Sequence, residues 1–283
     1  MYKIIDGKEV AASVRESIKK EVEVLEKDGK KTGLAVIIVG NNPASRVYVN
    51  NKKKGCAEVG MESFEYALPE ETTTDELLEL VENLNNDTAV DGILCQLPLP
   101  SQIDEKRVLN AIAPNKDVDA FHPVNTGHIM IGDHSFLPCT PAGIMEMLKH
   151  YNISVEGKEC VVIGRSNIVG KPMAMLLLGQ NGTVTICHSR TKNLKEVTRR
   201  ADILVAAVGK AYFVTEDMVK DGVVVIDVGM NRNAEGKLCG DVDFDKVKDK
   251  CSFITPVPGG VGPMTITMLL KNTLTASKEH FNK

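Results

Sequence analysis

The chain contains the stretch Leu34-Ala-Val-Ile-Ile-Val-Gly-Asn-Asn-Pro-Ala-Ser-Arg-Val-Tyr-Val-Asn-Asn-Lys52. Its apolar run followed by Gly-Asn-Asn-Pro predicts a buried strand, a turn, and a helix entered near Ser45. On that helix Tyr48 and Lys52 stand four residues apart and share one face, with Ser45 one turn earlier. A hydroxyl, a phenol and an amine would then line up at the carboxyl end of a strand, where open α/β sheets bind ligands. By itself the stretch favours the alternative, an ordinary amphipathic helix.

Outward from this stretch, apolar runs alternate with helical patterns, which predicts βαβ units and mainly parallel sheets. The periodicity fades between Pro114 and Pro141, where turn-forming residues are frequent. We therefore expect two α/β domains, at 1–120 and 121–263, with a cleft between them and a last helix (264–283) that packs back on the first domain. The C-terminal domain is expected to be Rossmann-like. Predicted strands are 34–39, 64–68, 92–97, 160–163, 184–187, 203–207, 223–226 and 253–255, and predicted helices include 10–25, 74–81 with Thr74 as N-cap, 104–112 and 141–150.

Composition excludes several functional classes. The 283 residues are 43% hydrophobic and 25% charged, with a formal net charge of -4, so nucleic-acid and membrane partners are not expected. Aromatic residues are only 4%, which argues against stacking platforms for bases. The N-terminus lacks an apolar signal segment, and the seven Cys form no C-x-x-C pair. These features predict a cytoplasmic protein without a metal site.

A second stretch, Gly164-Arg-Ser-Asn-Ile-Val-Gly170, follows a predicted strand and opens a helix. Backbone N–H groups and the helix dipole favour a phosphate there, although the spacing is not G-x-G-x-x-G and a tight turn would also use glycine. The next strand ends in His188-Ser189-Arg190, where NAD-selective folds usually carry a carboxylate. With Arg165, this segment favours the 2′-phosphate of NADP; the alternative is a polar loop with surface charges.

Three further features are ambiguous when taken alone. The loop Pro256-Val-Pro-Gly-Gly-Val-Gly-Pro263 is stiff and rich in glycine, which favours a wall beside a cofactor over a plain turn between domains. Gln96 closes a predicted strand, and Asp119 lies in a Lys-Asp-Val-Asp turn. Isolated residues of these types more often serve as turn or cap residues than as parts of a site.

Taken together, the motifs resemble the bifunctional methylenetetrahydrofolate dehydrogenase/cyclohydrolase family. They are spread over nearly the full length and keep the family's order. The one departure is Ala120, where a glycine is frequent, and we expect it to have no effect on function. The matching stretches are 44–52, 96–100, 116–125, 138–141, 164–172, 188–191, 227–229 and 258–265.

The resemblance implies a folate-binding catalytic domain at 1–120 and an NADP-binding domain at 121–263. It implies NADP-dependent oxidation of 5,10-methylenetetrahydrofolate to the methenyl form, followed by hydrolysis to 10-formyltetrahydrofolate. Two alternatives are a monofunctional NAD-dependent dehydrogenase and a non-catalytic nucleotide-binding protein. Arg165, Ser189 and Lys52 argue against the first alternative, and the intact Lys52 site argues against the second. A cytoplasmic homodimer that acts on tetrahydrofolate derivatives is expected from the same resemblance.

The resemblance also assigns roles to individual residues. Lys52 would move protons, although its amine, with an ordinary pKa near ~10.4, must be shifted by its surroundings to do so. Gln96 would orient Lys52, Tyr48 would stack on the folate, and Asp119 would anchor the pterin. Further substrate contacts would come from Ser45, Leu97, Pro258 and Gly259. Cofactor contacts would come from Thr140, Gly164, Arg165, Ser166, Ile168, Ser189, Met230 and Gly262. For a polyglutamate tail on the substrate, the candidate cations are Arg46, Lys53 and Lys54; a solvated basic face is the alternative.

Overall fold

The computed structural model of the chain describes residues 1–281 and divides into two compact units. Unit 1 comprises Met1–Ala12 and Thr140–Thr265, and unit 2 comprises Ser13–Cys139 and the residues from Ile266 onward. Each unit contains its own parallel sheet with helices between successive strands. The two-domain α/β fold class is therefore confirmed, while the cleft expected between the domains stays a prediction.

The helices and strands follow one another along the chain in a largely regular alternation. In chain order they are β1 (Lys3–Ile4), α1 (Gly7–Lys27), β2 (Gly33–Val39), α2 (Pro43–Val59), β3 (Glu62–Leu68), α3 (Thr74–Asn86), β4 (Gly92–Cys95), α4 (Glu105–Ala111), α5 (Pro123–Ile131), α6 (Cys139–His150), β5 (Glu159–Ile163), α7 (Gly170–Gly179), β6 (Thr183–Cys187), α8 (Leu194–Thr198), β7 (Ile203–Ala206), β8 (Val223–Asp227), β9 (Asn231–Arg232), β10 (Leu238–Cys239), α9 (Phe244–Val247), β11 (Cys251–Ile254) and α10 (Val261–Phe281).

The sheet of unit 1 has six parallel strands in the order β1-β11-β8-β7-β5-β6. The chain passes from β5 through α7 to β6 on one side, and then returns to β7 on the other side of β5. In unit 2 the order is β3-β2-β4, so the chain likewise leaves β2 in both directions. Such reversals open a crevice at the carboxyl ends of the strands, where ligands bind in open α/β sheets. The carboxyl ends of β5 and β2 are therefore the candidate ligand positions.

Four strands are buried along their whole length, as expected for parallel sheets covered by helices. Every residue of β2, β4, β7 and β8 is buried. Ile37 in β2 has no exposed surface, and burying a side chain of this size contributes about 1.5–3 kcal/mol. These cores hold the carboxyl ends of β2 and β5 in fixed positions.

Two segments belong to a different unit from the one that the predicted domain bounds assign them to. Residues 1–12 belong to unit 1 because β1 pairs with β11, with Lys3 opposite Phe253. Residues 121–139 belong to unit 2, where the Asn125 side chain donates to the Asp117 carboxylate at 2.8 Å. Neither contact can be predicted from periodicity, because the spacing of apolar residues reports local secondary structure and not which segments pair in the fold.

Local details of the predicted elements differ as well. Helix α2 begins at Pro43 rather than near Ser45, because the Asn42 side chain accepts from two backbone N–H groups and serves as N-cap. The N-cap of α3 is Thr73, not Thr74, and it forms a capping box with Glu76. Strand β4 ends at Cys95 rather than at residue 97. Gln96 is therefore the first residue beyond its strand.

Helix α5 was not predicted. It lies in the segment where the periodicity fades, between the N-cap His122 and Gly132, which takes a left-handed conformation. Its Asn125 is buried whereas Met130 and Ile131 are 69% and 73% exposed. Ile129 is the one apolar residue of the helix that is buried, so the apolar residues do not mark a buried face and their spacing gave no helical signal. Within residues 1–281, no helix is both long and apolar enough to cross a membrane.

Candidate active site

The amine of Lys52 lies against Gln96 in unit 2. Lys52 is on α2, which leaves the carboxyl end of β2, and Gln96 follows β4. Lys52 Nζ donates to Gln96 Oε1 at 2.9 Å. Gln96 Nε2 in turn donates to the Leu97 carbonyl at 2.7 Å. Since one end of the amide is bound by the backbone, its oxygen is held towards the lysine, and Gln96 orients the amine.

Asp119 joins this pair through a turn fixed by Asp117. The backbone of Asp117 forms a bridge with Ile93 in β4, and its carboxylate accepts the His122 N–H at 2.8 Å. The turn brings Asp119 near enough to Lys52 that each charge affects the pKa of the other. Cys139 Sγ lies 3.6 Å from Asp119 Oδ1. Lys52, Gln96 and Asp119 are thus brought together at the reversal point of the unit 2 sheet.

Burial acts in opposite directions on Lys52 and Asp119. Desolvation lowers the pKa of the Lys52 amine, while attraction to the Asp119 carboxylate partly restores it. Desolvation also raises the pKa of Asp119, and the Lys52 charge opposes that change. Both shifts favour neutral forms, so the site brings an amine closer to giving up its proton at neutral pH. A lysine in this state can act as a general base.

Two buried thiols next to Lys52 add no negative charge. Burial raises the pKa of Cys95 to about 12 and that of Cys139 well above the usual range of a thiol. Both therefore remain protonated at neutral pH. Because a thiolate would hold the Lys52 amine in its ammonium form, these neutral thiols leave Asp119 as the carboxylate that tunes it.

Ser45 and Tyr48 lie on the same helix as Lys52. Ser45 is buried, whereas Tyr48 is 38% exposed. Burial of the phenol raises the pKa of Tyr48, so the side chain stays neutral and presents an aromatic face. Leu97 follows Gln96, is partly exposed, and forms a cis peptide bond with Pro98. A half-exposed ring beside a buried amine can hold a flat heterocycle with its reacting atom near Lys52.

The basic residues near this helix are partly neutralised. Arg46 forms an ion pair with Glu65, and Lys53 Nζ lies 3.6 Å from the other oxygen of the same carboxylate. Lys54 is exposed on α2. Two of the three cations predicted to attract a glutamate tail therefore already share an acidic partner.

In unit 1 the loop after β5 is shaped by two close backbone approaches. Gly164 has φ +132°, and a Cβ at this position would lie 2.3 Å from the Ala207 carbonyl oxygen. A Cβ on Gly170 would lie 2.3 Å from the Gly164 carbonyl oxygen. Ser166 Oγ accepts from Val169 N at 3.1 Å and from Gly170 N at 3.2 Å. The loop is thus folded tightly at the reversal point, and the Ser166 hydroxyl retains a proton to donate.

The side chains around this loop are exposed and suit an anionic ligand. Arg165, Ser166 and Ser189 are all exposed, and Ser189 follows β6, the neighbouring strand. His188 Nδ1 accepts the Arg190 N–H at 3.1 Å and so fixes the turn that presents Ser189. Guanidinium and hydroxyl donors at this place fit a phosphate. The residues present are therefore compatible with NADP.

The remaining residues of unit 1 that were predicted to contact a ligand are distributed over several loops and helix starts. Ile168 and Met230 are 44% and 48% exposed, in the loops after β5 and β8. Thr140 Oγ1 lies 2.9 Å from Thr265 Oγ1. A Cβ on Gly262 would lie 3.2 Å from Met230 Cε, so these two residues are neighbours. Pro258 is exposed, and the Gly259 carbonyl accepts the Gly7 N–H at 3.0 Å.

Asn272 and Cys139 were not singled out from the sequence. Asn272 Nδ2 donates to the carbonyls of Val118 and Leu137, both at 2.8 Å. It therefore clamps the chain beside Asp119 and beside Cys139. Cys139 lies inside one of the stretches that carry the family resemblance, which could have drawn attention to it; Asn272 had no such signal. In the part of the chain that the structure describes, no three His, Cys, Asp or Glu side chains are grouped to hold a metal ion.

Known proteins match both halves of the chain. The family model of the tetrahydrofolate dehydrogenase/cyclohydrolase catalytic domain matches residues 5–119, and that of the NAD(P)-binding domain matches residues 138–281. The bifunctional protein FolD of Acetivibrio thermocellus is 64% identical over 98% of this chain and 97% of its own. The crystal structure of FolD, a methylenetetrahydrofolate dehydrogenase/cyclohydrolase from Campylobacter jejuni, has a TM-score of 0.97 at 51% identity and covers 99% of each chain. The Trypanosoma brucei FolD, complexed with NADP and an inhibitor, has a TM-score of 0.95 at 39% identity over 100% of this chain and 99% of its own.

Proposed function

The chain belongs to the tetrahydrofolate dehydrogenase/cyclohydrolase family, and we propose that Lys52 carries the proton transfer of its hydrolytic step. It is an NADP-dependent enzyme of one-carbon folate metabolism with both activities. It oxidises 5,10-methylenetetrahydrofolate to the methenyl cation and hydrolyses that cation to 10-formyltetrahydrofolate. The single observation that carries the residue assignment is the buried Lys52 amine, oriented by Gln96 and tuned by Asp119.

The two reactions make different demands on the protein. Bound NADP⁺ supplies the hydride acceptor of the first reaction, so the protein's task is to position the folate against it. Tyr48 stacks on the pterin, and Asp119 anchors its polar edge. Arg165 and Ser189 hold the 2′-phosphate of the nucleotide. None of these contacts requires a proton to move.

The second reaction requires proton transfer. Water adds to the carbon of the methenyl cation and loses a proton, which the neutral Lys52 amine accepts. When the C–N bond of the ring breaks, the ring nitrogen takes up a proton, which the Lys52 ammonium can return. The remaining hydroxyl proton leaves to solvent as the formyl group forms. The net reaction consumes one water and releases one proton.

The experiment that tests the function supplies methylenetetrahydrofolate with either NADP⁺ or NAD⁺ and follows reduced nicotinamide and methenyl product together. We expect reduced nicotinamide chiefly with NADP⁺, and disappearance of the methenyl product as it is hydrolysed. If the methenyl product accumulates and disappears no faster than by spontaneous hydrolysis, the enzyme lacks the hydrolytic activity, as in the monofunctional alternative. Binding of the nucleotide without any reduction would indicate the non-catalytic one.

Finer parts of the proposal concern assembly and the substrate tail. We propose a cytoplasmic homodimer, with unit 2 as the folate-binding domain and unit 1 as the NADP-binding domain. In this proposal Arg46, Lys53 and Lys54 attract the glutamate tail, although Arg46 and Lys53 also pair with Glu65. The ratio of KM for mono- and polyglutamylated folate, measured in Lys53→Ala and Lys54→Ala variants, tests this; a ratio equal to that of the unsubstituted enzyme argues against it.

A further inference from the structure

A second carboxylate cluster lies at the carboxyl edge of the unit 1 sheet. Asp241, beyond the β9–β10 hairpin, has no exposed surface. Its Oδ2 accepts the backbone N–H groups of Val208 at 2.6 Å and Gly209 at 3.0 Å. Its Oδ1 accepts Lys210 N at 2.8 Å and Asn231 Nδ2 at 2.9 Å. All four donors are neutral, so this buried charge is satisfied entirely by the loops that it holds.

Three consecutive N–H groups that converge on one anion form a nest. Here the nest is closed by a side chain of the same unit, which stops the segment Val208–Lys210 from moving independently. Burying a carboxylate is costly unless it is well hydrogen-bonded. If the segment shifted, the Asp241 charge would lose its donors, so the segment has one strongly preferred position.

The segment held in this way borders the nucleotide loop. It follows β7, which lies next to β5 in the sheet. The Ala207 carbonyl, one residue before Val208, is the group that a Cβ on Gly164 would strike at 2.3 Å. The segment after β7 therefore lines one side of the crevice, and the Gly164–Gly170 loop after β5 lines the other. Asn231, the fourth donor, directly follows Met230.

Asp241 is itself fixed by the end of β8. Asp227, the last residue of β8, accepts the Asp241 N–H at 2.9 Å on Oδ1 and the Val242 N–H at 3.0 Å on Oδ2. A Cβ on Gly240 would lie 1.8 Å from Asp227 Oδ2, so the chain passes tightly against this carboxylate. The strand end, Asp227, Asp241 and the β7 loop thus form one continuous hydrogen-bonded chain.

We propose that Asp241 is a positioning residue for the NADP site. It holds Val208–Lys210 and Asn231 so that the nucleotide meets a preformed crevice, and it acts through these loops rather than by touching the cofactor. The inference rests on the proposed function, in which NADP binds at the carboxyl end of β5. The hydrolytic step does not use the hydride acceptor, so that activity is an internal reference.

The test compares Asp241→Asn with Asp243→Asn in the full-length protein. Asparagine keeps one acceptor oxygen but turns its NH₂ group towards backbone donors. Asp243 undergoes the same loss of charge two residues away, and its carboxylate pairs instead with Lys246 at 2.8 Å. We expect Asp241→Asn to raise the calorimetric Kd for NADP⁺ by about tenfold or more. The loop that Asp241 no longer holds must then be ordered when the nucleotide binds, and this cost weakens binding. Hydrolysis of methenyltetrahydrofolate stays within about twofold, and Asp243→Asn changes neither quantity.

A second variant covers the case in which Asp241→Asn does not fold. Gly209 has φ +65°, and a Cβ added to it would have no heavy atom within 4 Å, so Gly209→Ala strains the segment without a steric clash. It leaves Asp241 in place and is expected to weaken NADP⁺ binding in the same direction. A folded Asp241→Asn protein that binds NADP⁺ like the unsubstituted enzyme would overturn the proposal, and so would equal losses of NADP⁺ affinity and hydrolysis. If the unsubstituted enzyme hydrolyses methenyltetrahydrofolate but does not bind NADP⁺, the proposed function itself fails.

Discussion

The cluster of Lys52, Gln96 and Asp119 and the Gly164–Gly170 loop occupy equivalent places in two sheets but consist of different chemical groups. Each lies at the carboxyl end of a strand from which the chain departs in both directions. The first is made of partly buried titratable side chains whose pKa values shift towards neutral forms. The second is made of close-packed backbone, with exposed Arg165 and Ser189 beside it.

The difference follows from what each place has to do. Proton transfer at neutral pH needs a group whose pKa has been moved, and desolvation is what moves the pKa of Lys52. Holding a nucleotide needs donors in fixed directions, which backbone N–H groups and exposed cations supply. In the proposed function, the same sheet geometry therefore serves proton transfer in one unit and nucleotide positioning in the other.

The largest expected effect separates the two activities at Lys52. Lys52→Met removes the amine and keeps an apolar chain of similar length. We expect methenyl hydrolysis to fall by at least about 10²-fold, as for loss of a general acid–base group, while hydride transfer falls by less than about tenfold. Steady-state assays of both reactions on one preparation provide the measurement.

Lys53→Met is the matched control for that prediction. It makes the same substitution one residue further along α2, where the side chain is exposed and pairs with Glu65. With monoglutamylated folate, which does not engage the tail contact proposed for Lys53, both activities of this variant should stay near those of the unsubstituted enzyme. If Lys52→Met lost both reactions in equal proportion, Lys52 would be a binding or structural residue, and the contrast between the two sites would fail.

The next effect tests the positioning side of the comparison. Arg165→Ala removes an exposed cation beside the nucleotide loop. A charge-assisted hydrogen bond is worth roughly 1.5–3 kcal/mol, so KM for NADP⁺ should rise by at least about tenfold. KM for NAD⁺ and the rate of methenyl hydrolysis should not change, because neither involves the 2′-phosphate. Arg199→Ala, another exposed arginine of unit 1, is the control; an equal rise in KM for both nucleotides would contradict the assignment.

Sequence reasoning reached the parts of both sites that follow a local pattern. The strand at Leu34–Val39 and the loop at Gly164 are visible as apolar runs that end in turn-forming residues. Lys52 and Asp119 acquired roles through the family resemblance, since each alone was ambiguous. The structure then added the hydrogen bond of Lys52 to Gln96 and the burial that shifts its pKa.

The features that sequence reasoning missed depend on contacts between distant residues. Asp241 binds N–H groups more than thirty positions earlier in the chain, and the amide of Asn272 binds Val118 and Leu137. A single buried polar residue does not recur at helix or strand spacing, so the sequence pattern cannot predict its burial or its partners. Helix α5 was missed because it buries the polar Asn125 together with Ile129 and exposes Met130, so its apolar residues do not define one face.

A smaller effect concerns how Asp119 tunes Lys52. The Asp119 charge raises the Lys52 pKa against the lowering by burial. Asp119→Asn should therefore lower that pKa further. Because the neutral amine is the active form, the rising limb of the hydrolysis rate against pH should move to lower pH. The measurement is kcat for methenyl hydrolysis across the pH range, corrected for the spontaneous rate; Asp133→Asn, an exposed carboxylate of unit 2, is the control. A shift to higher pH would show that Asp119 does not act on Lys52 through its charge.

The smallest expected effect is at Ala120, next to Asp119. Ala120 has φ +58°, a left-handed conformation that costs a non-glycine residue roughly 1–2 kcal/mol. Ala120→Gly relieves this strain, but it gives back about 0.4–1 kcal/mol through the entropy of the unfolded chain, and loses up to about 0.8 kcal/mol through the buried methyl group. These terms nearly cancel, so we expect the free energy of unfolding to change by less than about 1 kcal/mol. The ratio of the two activities should be unchanged, since the turn at Asp119 is held by Asp117 and Ile93 rather than by the side chain of residue 120. Urea unfolding with both assays measures this, and a changed ratio would mean that the strain at Ala120 helps to position Asp119.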